Sequence, residues 1–208
     1  MIETLFVLLN NYLSPHIHNH ILLDLCVAGC VAFMLCMIVV IVGVVVNTFE
    51  NLVFKILRRF LGHKFAVVIC NYLTFPGVML HELAHAVMVI ATGGKITHMK
   101  LFEICPDGRL GHVDFCVRGR FKNQMIQLAC SSCAPVIFGF VEIYVLYRHV
   151  LIQTIGSRWY YLVWYMIISI GFHMSMSNQD LKLYFRGLIY VFPVVLVSMM
   201  VLQYFVFR

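Results

Sequence analysis

Charge is what this chain has least of. Of its 208 residues, 12% are Asp, Glu, Lys or Arg, and only nine are acidic. Apolar residues make up 62%, and the mean hydropathy is +0.92. So small a polar complement cannot cover a water-facing surface. This excludes a soluble domain and predicts an all-α polytopic membrane protein. The net charge of +6 is modest, and the Lys and Arg residues lie mainly between apolar runs. That pattern argues against nucleic acid as a partner and for a lipid bilayer with anionic headgroups. The N-terminus lacks a basic stretch and a small-x-small cleavage site, so no signal peptide is read there. Cys130-Ser131-Ser132-Cys133 lacks a matching second CxxC and opens an apolar helix, which reads as packing rather than redox or zinc chemistry. Cys105 and Cys116 flank an expected turn, and whether they join depends on the compartment.

What is present is a series of apolar segments with polar breaks. Residues 5–9 form a short apolar piece, and His16, His18 and His20 alternate in an interfacial turn. Residues 21–46 are long enough to span a bilayer. Over residues 47–64, Phe49, Leu52, Val53, Ile56, Leu57 and Phe60 recur at helical spacing, with Glu50, Lys55, Arg58 and Arg59 between them. This predicts an amphipathic interfacial helix, capped at its start by Asn47 and Thr48. Residues 1–64 thus form an N-terminal segment, and residues 65–208 form a membrane core.

In that core, residues 65–91 make the second span, with Pro76 expected to open or kink it. Thr92-Gly93-Gly94 ends it. A β-hairpin is expected over residues 95–117, turning at Pro106-Asp107-Gly108-Arg109. Apolar helices follow at 125–147, 159–174 and 187–207, giving about five with the small hairpin after the second. Lys and Arg divide seven against eight between alternate sides, so they set no orientation. Oligomeric state is equally open, because Gly and Ala in the spans serve internal packing and dimer contacts alike.

The second span carries His81-Glu82-Leu83-Ala84-His85. On a helix, residues four apart share a face, so two imidazoles there can grip one metal ion. Glu82 would then take a proton from a water activated by that metal. Ionisable groups in an apolar span are costly unless they have such a partner. A catalytic zinc also wants a third protein ligand and an open position. Asp180 is the first candidate, an acid at a break between helices, beside Ser177 and Asn178. Capping the last helix is its other role, and the two need not exclude each other. His173 ranks next, then Glu142, then the hairpin residues His98 and His112.

Leu80-His81-Glu82-Leu83-Ala84-His85-Ala86, followed by Gly93-Gly94, a hairpin, Ala134-Pro135 and Met176-Ser177-Asn178-Gln179-Asp180-Leu181, resembles the site-2 protease type of intramembrane zinc metalloprotease. The similarity covers about residues 65–190 and is greatest to the small bacterial members. It implies a multi-pass protein of a bacterial inner or cell membrane. It also implies Zn2+ held by His81, His85 and Asp180, with Glu82 as the catalytic base. The expected substrates are transmembrane segments of other proteins, pairing as an added strand with the hairpin. Two features depart from the family pattern. Asp180 is followed by Leu181 rather than Gly, and no soluble stretch is long enough for a PDZ domain. The alternatives are a catalytically silent, helix-binding relative and a membrane metal carrier or sensor.

Overall fold

The computed structural model describes residues 2–104 and 110–206. Helix α1 (Ile2–Leu13) buries Phe6 completely, in a cluster with Leu23, Val27 and Val31 of helix α2 (His20–Leu61). Asn19 caps α2, its side-chain oxygen accepting from the Ile21 and Leu22 amides.

Helix α2 differs from the sequence expectation. A span over residues 21–46 and a separate amphipathic helix were expected, but α2 runs unbroken for 42 residues. Asn47 and Thr48 do not cap a new helix. The Thr48 hydroxyl donates to the Val44 carbonyl, and the Asn51 amide donates to the Asn47 carbonyl, one turn back. Side chains bonded in this way let the backbone continue. No Gly or Pro interrupts residues 44–61. Gly62, at φ 84°, finally stops the helix.

Helix α3 (His63–Val67) passes through a wide π turn (Val68–Tyr72) and breaks before helix α4 (Phe75–Ala91), which leaves at 64°. Pro76 stands in the first turn of α4, where a missing N–H costs nothing. The break expected from Pro76 is therefore present just upstream of it. Thr92 closes α4, and the chain turns through Gly93 at φ 85° into strand β1 (Lys95–Ile104). Strand β2 (Leu110–Cys116) pairs antiparallel with β1, from Ile104↔Leu110 to Lys95↔Cys116. Cys116 is thus opposite Lys95, at the open end of the ladder. Cys105 and the expected turn at 106–109 lie outside the described residues. Buried Gln127 clamps the hairpin exit, accepting from the Arg118 amide and donating to its carbonyl.

Helix α5 (Phe121–Val145) continues through a π turn (Leu146–Leu151), and helices α6 (Trp159–His173) and α7 (Asn178–Val206) complete the chain. Helix α7 begins at Asn178 rather than at residue 187, because the polar stretch there is its capped first turn. The core lies between α2, α5 and α7, where Ala129, Cys133, Val136, Met174, Met176 and Tyr184 are buried together. The Tyr184 hydroxyl donates to the Cys36 carbonyl of α2.

All five expected apolar helices are present, but they are not equally long. Helix α2, α5 with its extension, and α7 are long and apolar enough to cross a membrane, and the bent α3–α4 pair makes a fourth if counted as one span. Helix α6 has 15 residues, about 22 Å of helix, against a hydrocarbon layer of about 30 Å. Only 6% of the most apolar window of α7 is buried, so its large side chains face outward.

Candidate metal centre

Helix α4 sits at the middle of the fold, packed by α5, α6 and both strands. Its first turn is pressed against α6 at Gly77, where a Cβ would collide with the Ser169 carbonyl. Ser169 joins the two helices there, its hydroxyl accepting from the Gly77 amide at 2.8 Å and donating to the Thr74 carbonyl at 2.9 Å. One turn on, α4 presents His81, half-buried, and His85, 9% exposed.

Each ring is held from behind by a backbone oxygen. His81 Nδ1 donates to the His173 carbonyl at 2.7 Å, and His85 Nδ1 donates to the Ser131 carbonyl at 2.8 Å. A carbonyl only accepts, so both Nδ1 atoms carry the proton and both Nε2 lone pairs face forward. Those two Nε2 atoms are 3.2 Å apart, with the ring planes crossed at 77°. Two lone pairs so close repel unless something positive lies between them. Two nitrogens on one tetrahedral zinc, each at about 2.05 Å, would stand about 3.3 Å apart. The separation of the pair therefore matches that of two ligands on one zinc ion, and backbone carbonyls are among the outer partners that such ligands have.

His81 and Glu82 line a cavity of about 230 Å³ whose other walls come from α2, the π turn and the α6–α7 connector. Asn47, Glu50 and Asn51 contribute from α2, Asn71 from the turn, and Ser175 and Ser177 from the connector. Leu110 closes it from the hairpin. It has room for several waters.

The candidate third ligands are differently placed. Asp180 forms a capping box with Ser177 at the start of α7. Its Oδ2 accepts from the Ser177 amide at 3.0 Å and hydroxyl at 2.6 Å, while the Asp180 amide donates back to that hydroxyl. His173 has one ring nitrogen bonded and the other beside a carboxylate. Thr74 gives its one hydroxyl proton to the Cys70 carbonyl, so His173 Nε2 donates to Thr74 at 2.7 Å. His173 Nδ1 faces Glu50 at 3.5 Å. Glu142 shares with His81 and His173 a second cavity of about 10 Å³, barely one water in size. His98 and His112 pair with each other on the hairpin, ring centres 5.7 Å apart, and neither lines the larger cavity. Among the described residues, no three potential ligands are gathered at one point.

Glu50 is the site residue that sequence reasoning assigned elsewhere, to the polar face of a separate helix. Its carboxylate accepts from the Ser175 hydroxyl at 3.1 Å as well as facing His173. The available signal was the spacing of Asn47, Glu50 and Asn51, which puts three polar side chains on one helix face.

Comparison of this chain with protein-family models, with curated proteins and with solved structures finds no match.

Proposed function

We propose that this chain is a multi-pass intramembrane zinc metalloprotease of the site-2 protease type, cleaving peptide bonds in or near the transmembrane segments of other proteins. The observation that carries the reading is the convergence of the His81 and His85 Nε2 atoms at 3.2 Å, beside a polar cavity that Glu82 also lines. The bilayer part rests on three long apolar helices and on the outward-facing apolar side chains of α7.

In this reading His81 and His85 would hold zinc through Nε2, with Asp180 as the third ligand. Zinc bound there supplies a Lewis acid for the scissile carbonyl and makes water more acidic. Glu82 takes the proton from the attacking water and returns it to the leaving amine. The hairpin offers β-edges to a substrate segment that has unwound, since a helical peptide bond hides its carbonyl from attack.

The test offers detergent-purified wild type and Glu82→Gln a panel of single-span helices, with zinc measured in both. The proposal expects cleavage by wild type, a loss of a hundredfold or more in the variant, and equal zinc in both. A carrier would bind zinc, cleave nothing and lose transport with Glu82→Gln. A silent helix-binding relative would keep its biological effect in His81→Ala. Either result would overturn the protease reading.

A further inference from the structure

Ser131 lies in the interior of α5, where carbonyls are normally taken by the amide four residues on. At that place in the sequence stands Pro135, which has no N–H to give. The Ser131 carbonyl is therefore left over by the helix itself, in a buried position where an unpaired oxygen would be costly. It is filled by His85 Nδ1–H at 2.8 Å.

From this we infer that Pro135 is a positioning residue for the metal centre, acting through the Ser131 carbonyl on the His85 ring. Its role is to withhold a hydrogen bond. The missing amide keeps the carbonyl available, the carbonyl fixes the proton on His85 Nδ1, and the fixed proton leaves Nε2 open towards His81. The partner ring is held by the same device in another form. The His173 carbonyl belongs to the last turn of α6, where helix carbonyls have no amide ahead of them. One ligand is thus held by a carbonyl that a proline frees, and the other by a carbonyl that a helix end frees.

The inference rests on the zinc reading above, and its test separates the two. Pro135→Ala restores an amide at position 135, which competes with His85 for the Ser131 carbonyl. Pro193→Ala does the same inside α7 and is the control. Three measurements are made on each purified protein: thermal unfolding, zinc affinity, and the visible spectrum of the Co2+-loaded form. Pro135→Ala is expected to melt at or above the wild-type temperature. Its zinc affinity is expected to fall roughly 10- to 100-fold with an altered Co2+ spectrum, while Pro193→Ala keeps both. A merely structural proline would not separate stability from metal affinity in this direction. Wild-type affinity and spectrum in Pro135→Ala would overturn the inference alone. No specific zinc in wild type would overturn the metal reading and the inference together. Nitrogen NMR of metal-free wild type tests the same point without any variant. The neutral His85 ring should carry its proton on Nδ1, and a proton on Nε2 instead would overturn the inference.

Discussion

Glu50 Oε1 of α2 faces His173 Nδ1 at the end of α6 across 3.5 Å, while its other oxygen takes the Ser175 hydroxyl. This joins the N-terminal segment to the proposed zinc site, because the His173 carbonyl holds His81. The contact is secured nearby by the Met176 amide donating to the Gly43 carbonyl of α2. Removing Glu50 should therefore loosen His81 without touching it. In Glu50→Ala we expect zinc affinity to drop roughly 10- to 100-fold, with substrate KM unchanged and kcat reduced. Equilibrium dialysis against zinc and a steady-state cleavage assay check the two halves of this expectation.

Asp180 caps α7 and is the proposed third zinc ligand, and two substitutions separate the two roles. Asn accepts hydrogen bonds as Asp does, so Asp180→Asn should keep the capping box with Ser177 and the melting temperature. Its zinc affinity should still fall, because a neutral amide is a poor zinc ligand. Asp180→Ala should lose zinc as well as roughly 1 kcal/mol of stability. Equal zinc in wild type and both variants, by metal analysis, would remove Asp180 from the ligand set.

Gly77 sets how closely α4 and α6 approach. Gly77→Ala puts a methyl into the Ser169 carbonyl, and the helices must part to admit it. A cost of about 1–3 kcal/mol is expected, as for other overpacked contacts. Circular dichroism melts report it, and activity should fall further than stability does, because His81 lies one turn beyond the crossing.

Gln127 is 4% exposed and uses its amide on both backbone groups of Arg118. Gln127→Leu preserves the bulk and leaves those groups unpaired. About 1–3 kcal/mol should be lost, and hydrogen exchange should speed up in β2 and not in α4. Since the hairpin is the proposed docking edge, KM for a transmembrane substrate should rise while zinc content stays constant.

How much of this was readable beforehand varies with the kind of signal. His81 and His85 could be placed on one face by spacing alone, and Pro76 and Gly93 announced where α4 begins and ends. The hairpin arms were visible as polar-apolar mixtures on either side of a turn sequence. The joint at Asn47 is not legible, because Asn and Thr serve equally well as caps and as side chains bonded one turn back. Only the neighbours decide between those roles. Glu50 was hidden for a related reason, as a charge on an amphipathic helix looks solvated until α6 is packed against it. Backbone acceptors leave no residue-type signature, so the partners of His81 and His85 had to come from the structure. Pro135 does show that the Ser131 carbonyl loses its usual donor, but the sequence does not say which ring will replace it.

The unbroken course of α2 has a consequence for where a substrate would be cut. From Ile21 to Asn47 the helix rises about 39 Å, already more than the thickness of a hydrocarbon layer. If α2 crosses the bilayer along its apolar run, Asn47, Glu50 and Asn51 lie level with one headgroup zone, and the cavity they line with His81 and Glu82 lies there too. Water then reaches the site from the adjacent aqueous phase and needs no channel through the lipid. The bond that is cut should accordingly lie near one end of the substrate's span. Shifting a susceptible bond by about two helical turns towards the bilayer midplane should protect it.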